Sequence, residues 1–151
     1  MKSWMPAALA AAAVLASGQA AAQFKDAKDA IEYRQGAMHV MGNHFGRIGA
    51  MVNNKVPFDA KAVQVNADVV ALMVKLPWAG FGVEGSNKGE TDAKPEVWSQ
   101  PAKFKEAATK SMDASDKLVA AAKTGDMATV KVAFGEMAKT CKGCHETFRK
   151  E

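Results

Sequence analysis

From about residue 26 onward, apolar residues recur three and four apart with little two-residue alternation, so the chain reads as helix rather than strand. Four segments carry such stripes. The first spans about Asp26 to Asn53, with Ile31, Met38, Met41, Phe45, Ile48 and Val52 on one side. The stretch Asn53-Asn54-Lys55-Val56-Pro57 stops it, because Pro57 restricts Val56 and asparagine tolerates a helix end. The second spans about Asp59, an N-cap candidate, to Leu76, with Ala62, Val65, Val69, Leu72 and Leu76 as its stripe and Pro77 as its stop. The third runs from about Ser99 to Lys123, with Pro101 acceptable in its first turn and Phe104, Ala108, Met112, Leu118 and Ala122 on its buried side. After the turn Thr124-Gly125-Asp126, the fourth carries Met127, Val130, Phe134, Met137, Cys141, Cys144 and Phe148 at strict three-four spacing.

Two short connections and one long one join these helices. Short connections favour antiparallel neighbours, so the expected architecture is an all-α, up-down-up-down antiparallel four-helix bundle. The long connection, Trp78 to Trp98, is polar at its centre and holds Gly80, Gly82, Gly85, Gly89 and Pro95. Loops of that length are usually functional or mobile. Most of the nine methionines read as core filler.

The first 22 residues change the picture. Lys2, the apolar run Ala7–Ala16 and the small residues Ala20-Ala21-Ala22 fit a cleaved signal peptide. An uncleaved anchor is the rival, but the run is short for a span and Pro6 interrupts it early. Cleavage leaves 23–151 as one domain in the periplasm, with 19 Lys and Arg against 16 Asp and Glu. That mild positive charge gives no basis for nucleic-acid binding. Lys139, Lys142, Arg149 and Lys150 crowd the last helix. They fit cations placed at a helix C-terminus, or a docking surface for an acidic redox partner.

The chemistry is concentrated in Cys141-Lys142-Gly143-Cys144-His145, close to the C-terminus. C-x-x-C-H is the attachment motif of a c-type haem. Its thiols share a helix face and can form thioethers with the two porphyrin vinyl groups, while the histidine serves as an axial iron ligand. A thioredoxin-type disulfide would place the motif at a helix N-terminus, whereas here it ends a helical pattern. Structural zinc needs four ligands, and the chain has two cysteines and three histidines. Any sixth ligand must come from upstream, because no methionine follows His145.

With that motif stand Tyr33-Arg34-Gln35, His44-Phe45-Gly46-Arg47, Leu76-Pro77-Trp78-Ala79-Gly80-Phe81-Gly82, Lys94-Pro95-Glu96-Val97-Trp98-Ser99, Ala133-Phe134-Gly135 and Phe148-Arg149-Lys150. In this order they resemble the cytochrome c′ family, the high-spin class II c-type cytochromes, whose bundle is a known example of the architecture above. The resemblance implies one haem c on Cys141 and Cys144, five-coordinate iron with His145 proximal, and an apolar distal pocket at Met38. It also implies that Arg34 and Gln35 contact the haem and its propionates, that Arg149 stands beside the proximal histidine, and that Trp78 packs near the haem. Related low-spin bundles ligate iron with a methionine about one turn earlier, where this chain has Arg34. One turn is about 5.4 Å, so Met38 reads as a packing residue; a low-spin carrier with Met38 as sixth ligand is the alternative. His39 and His44 read as surface or structural residues. A propionate would satisfy a buried Arg34, and Arg149 could instead pair with a carboxylate such as Glu146.

The expected function is electron transport together with binding of nitric oxide and carbon monoxide. Dedicated nitric-oxide scavenging is the alternative. Peroxidase or reductase chemistry ranks last, because Met38 offers no acid–base group, and the chain is read as a non-enzyme. An unidentified periplasmic redox partner is implied. So is a homodimer paired through the first two helices, burying Val56, Val63 and Val70.

Overall fold

The computed structural model describes residues 23–150, and the expected leader at 1–22 lies outside the described residues. Four long helices carry the fold: α1 (Ala27–Val52), α2 (Ala60–Met73), α4 (Pro101–Lys123) and α5 (Met127–Phe148). Between α2 and α4 lie a 3-10 turn at Pro77–Phe81 and the one-turn helix α3 (Glu96–Ser99). The starts follow the caps. Asp26, Asp59 and Asp126 each accept a hydrogen bond from the backbone N–H three residues on, at 2.9, 3.0 and 2.7 Å. The stops use left-handed backbone at Asn54 (φ 56°) and Gly125 (φ 69°).

α1 packs on α2, α2 on α4, α4 on α5, and α5 back on α1. This is the expected antiparallel four-helix bundle. The apolar core lies towards one end of it. There Ile48, Met51 and Val52 of α1 meet Val63, Ala67 and Val70 of α2, Leu118 and Ala122 of α4, and Val130 and Met137 of α5. Among the described residues, no helix is long and apolar enough to cross a membrane.

Three expectations change. α2 ends at Met73 rather than Leu76, since Pro77 has no N–H to donate to the Met73 carbonyl, and Trp78 Nε1 donates to the Val74 carbonyl at 2.6 Å. The third long helix starts at Pro101, not Ser99. Gln100, driven out of helical geometry by the following proline (φ −126°, ψ 55°), separates α3 from α4.

The third change is rotational. Val65 and Leu72, expected in the core, are 55% and 59% exposed, whereas Val63 and Val70, expected on a dimer face, are fully buried. α2 carries two apolar stripes, and its inward one is Val63, Asn66, Ala67, Val70 and Val74. Asn66 hides this stripe from a purely hydrophobic reading. Its amide nitrogen donates to Ala62 O at 2.7 Å, and its amide oxygen lies 2.8 Å from His44 Nδ1. The buried amide therefore keeps its hydrogen bonds.

Candidate functional site

The bundle end away from the core encloses a cavity of about 890 Å³ between α1, the long connection, α4 and α5. Cys141, Cys144 and His145 lie in its wall, together with Arg34, Gln35, Met38, Trp78 and Arg149. All eight residues singled out in the sequence therefore border one space.

The α5 side follows from spacing. Met137, Cys141 and Cys144 continue the inward stripe, so Cys141 packs against the core cluster while Cys144 lies one turn beyond. Both thiols are free. Burial pushes both thiols up from their ordinary pKa, and the neighbouring Cys141 adds to the shift at Cys144. Redox dithiols have lowered pKa values at helix N-termini, whereas these thiols stand near the C-terminal end of α5. Burial, and secondarily the Arg149 charge, lowers the His145 pKa and favours the neutral imidazole that can bind a metal.

The α1 side is built around Arg34, only 2% exposed. Its guanidinium donates to Gly80 O at 2.9 Å, Ser86 O at 2.8 Å and Thr91 Oγ1 at 2.8 Å, and lies 4.2 Å from the Phe81 ring centre. Burial lowers its pKa to about 10, leaving it a cation at neutral pH. The connection's own oxygens thus surround the guanidinium. Gln35 Nε2 donates to Glu90 O at 2.9 Å. α1 thus holds the connection as a strap that lines the cavity.

The strap's far end is fixed to α5. Ala93 and Arg149 form an antiparallel bridge, with Lys94 N donating to Phe148 O at 2.9 Å and Lys150 N to Asp92 O at 2.7 Å. The nearest carboxylate to Arg149 is Asp92, at 3.9 Å, not Glu146, which faces Lys142 at 3.6 Å. Met38 is half-buried in the wall. His39 also borders the cavity but is exposed, its Nε2 3.1 Å from Asn43 Nδ2.

The sequence reading missed Phe81, Thr91, Ala93, Val97 and Phe104 in the lining. Trp78, Phe81, Phe104 and Phe148 form a relay of aromatic contacts with ring centres 4.9 to 6.4 Å apart. The signal for Phe81 was its place in Gly80-Phe81-Gly82, a stretch already singled out. The donor set fits a c-type haem: two unbridged thiols three residues apart, an adjacent imidazole, and an apolar cavity of cofactor size.

The family profile described as Cytochrome C′ matches residues 29–149. Cytochrome c′ of Rubrivivax gelatinosus is 52% identical over 85% of this chain and all of its own, and its crystal structure superposes with a TM-score of 0.82. Cytochrome c′ of Alcaligenes xylosoxydans is 41% identical over 85% of this chain and 99% of its own. A nitric oxide complex of a variant of the Alcaligenes xylosoxidans protein superposes at 0.79, covering 85% of this chain and 98% of that one. A carbon-monoxide-bound variant superposes equally well, at 41% identity over 85% and 99% of the two chains. A profile match over most of the chain, relatives of this similarity and a cavity suited to the cofactor place the chain in the cytochrome c′ family, as a haem cytochrome with a covalently bound c-type haem.

Proposed function

We propose that the protein is a periplasmic monohaem cytochrome that transports electrons and binds nitric oxide and carbon monoxide at an open axial position. The observation carrying this reading is that Cys141, Cys144, His145 and Met38 border one apolar cavity. When bound, the haem supplies an iron that cycles between ferric and ferrous and an axial site for a diatomic ligand. Cys141 and Cys144 would hold the group through thioethers, and His145 would bind its iron. Met38 borders the same cavity and would offer a bound ligand no hydrogen-bond donor. Its apolar surface favours neutral gases and disfavours anions, which would lose hydration on entry. Arg34, Gln35 and Trp78 hold the wall, and Arg149 sets the charge beside His145. The nitric oxide and carbon monoxide complexes of the Alcaligenes protein support the choice of gases.

The leader read at residues 1–22 supports export to the periplasm. Homodimerisation fits the outward stripe of α2, where Val65 and Leu72 stand exposed, in place of the buried Val63 and Val70. Absorption spectra of the purified holoprotein test the iron site. Five-coordinate iron gives a ferrous spectrum without a sharp low-spin alpha band, and Met38→Ala leaves the resting form high-spin while accelerating gas binding. A low-spin resting spectrum that turns high-spin in Met38→Ala would make Met38 the sixth ligand.

A further inference from the structure

Among the described residues, three methionines stand in the cavity wall, Met38, Met41 and Met137. Met137 is fully buried, whereas Met38 and Met41 are half-buried. These two are three positions apart on α1 and so share one face of it. That face lies on the open side of the cavity. His39, next to Met38, and Gly42 and Asn43, just beyond Met41, line the cavity and are also exposed to solvent. Gly42 has no side chain to close the opening, and a Cβ there would meet nothing within 4 Å. A small solute can therefore reach both sulfurs from outside.

Hydrogen peroxide is such a solute. It is uncharged, so it escapes the desolvation penalty that turns anions away from an apolar wall. Its reaction with methionine converts a flexible apolar side chain into a polar, chiral sulfoxide, and methionine sulfoxide reductases reverse the change. Between Trp78, Phe81 and Phe104, an added sulfoxide oxygen is a hydrogen-bond acceptor that retains water where a gas has to enter. The two accessible methionines differ in their surroundings. Met41 packs against the apolar core cluster, and Met38 is not part of it.

We propose that Met38 is a reversible oxidation site, through which peroxide switches the cavity from apolar to polar and so slows its uptake of nitric oxide. The inference rests on the gas-binding reading above. The step is a two-electron oxidation of sulfur. The Met38 sulfur donates an electron pair to one peroxide oxygen, an S–O bond forms and the O–O bond breaks. The second oxygen leaves as hydroxide and takes the proton from the new S–OH group. Methionine is thereby oxidised to the sulfoxide, and peroxide is reduced to water.

The test treats ferric holoprotein with hydrogen peroxide, removes the excess with catalase and maps sulfoxide by peptide mass. Met73, Met112 and Met127 are also half-buried but lie outside the cavity wall, so they are internal controls. The Soret band establishes that the haem survives, and stopped-flow absorbance of the reduced protein gives the rate of nitric oxide binding. Sulfoxide should accumulate at Met38 ahead of the three controls. Nitric oxide binding should slow about fivefold or more in step with it, and recover after treatment with methionine sulfoxide reductases. Met38→Leu keeps an apolar side chain of similar volume without the sulfur, so its own rate should not respond to peroxide. Sulfoxide at the controls with Met38 intact, or Met38 sulfoxide with an unchanged rate, overturns the proposal. So does equal slowing in Met38→Leu. A wild type that binds no nitric oxide before oxidation would instead overturn the reading on which it rests.

Discussion

Gly80→Ala should destabilise the protein far more than one added methyl group suggests. Gly80 is buried in the 3-10 turn against α1, and a Cβ there would lie 2.7 Å from Ala30 O and 3.3 Å from Arg34 Cβ. The obstruction is backbone, so no side chain can swing aside. Restoring an ordinary contact of about 3.4 Å requires the turn to lift by about 0.7 Å. That movement pulls the Gly80 carbonyl away from Arg34 Nη1, now 2.9 Å distant. Overpacking costs about 1–3 kcal/mol, and weakening a charge-assisted hydrogen bond in a buried site costs about 1–2 more. The expected loss is about 3 kcal/mol, or roughly 10 °C in Tm for a chain of this size. Gly36→Ala is the control. It lies within α1 with nothing within 4 Å of its Cβ position, so alanine should stabilise by about 0.5–1 kcal/mol through helix propensity. Thermal unfolding of both holoproteins, followed by circular dichroism and the Soret band, compares them. A Gly80→Ala variant as stable as wild type would refute the close approach of the turn to α1, and with it the clamping of the strap by Arg34.

Three further outcomes are expected. Leu72→Glu should convert a homodimer to a folded monomer in sedimentation at micromolar concentration; a wild type that is already monomeric would refute pairing through the outward face of α2. The Asp126 carboxyl is held below its ordinary pKa by the Thr129 hydroxyl and amide. Its stabilisation is therefore present above about pH 4 and is lost as pH falls through the lowered folded value, so Asp126→Asn should show a shallower acid limb in stability, and an unchanged limb would count against it. Deleting Lys150 and Glu151 removes the 2.7 Å bond from Lys150 N to Asp92 O and should lower stability by about 1 kcal/mol; an unchanged Tm would show that the bridge contributes nothing.

The architecture was legible because spacing fixes helices and short connections fix their order. The α5 face was legible to the residue, since its three-four stripe includes both thiols. The α2 face was not. Two stripes compete there, and the inward one carries Asn66, an amide that a hydrophobic count rejects but that Ala62 and His44 satisfy. In α4, Ser111 and Ser115 are buried because their hydroxyls donate to Ala107 O and Met112 O, which a search for apolar residues also passes over. Arg34 was legible as a pocket residue, but its partners lie 46 to 57 positions away in sequence. No local pattern could pair them.

Those long-range partners alter the argument about the cavity. A buried guanidinium needs oxygen atoms around it, and a cofactor carboxylate is one source. Here Gly80, Ser86 and Thr91 supply them, and the Phe81 ring covers one face. Thr91 Oγ1 also accepts from Ala93 N at 3.2 Å, and Ala93 pairs with Arg149. A continuous run of polar contacts thus joins α1 to the residues just beyond His145. The bridge ties the end of α5 to the connection, so a movement of the helix end that carries His145 has to strain the strap as well. Arg34, Thr91 and Ala93 thus help to position the end of α5 beside Arg149.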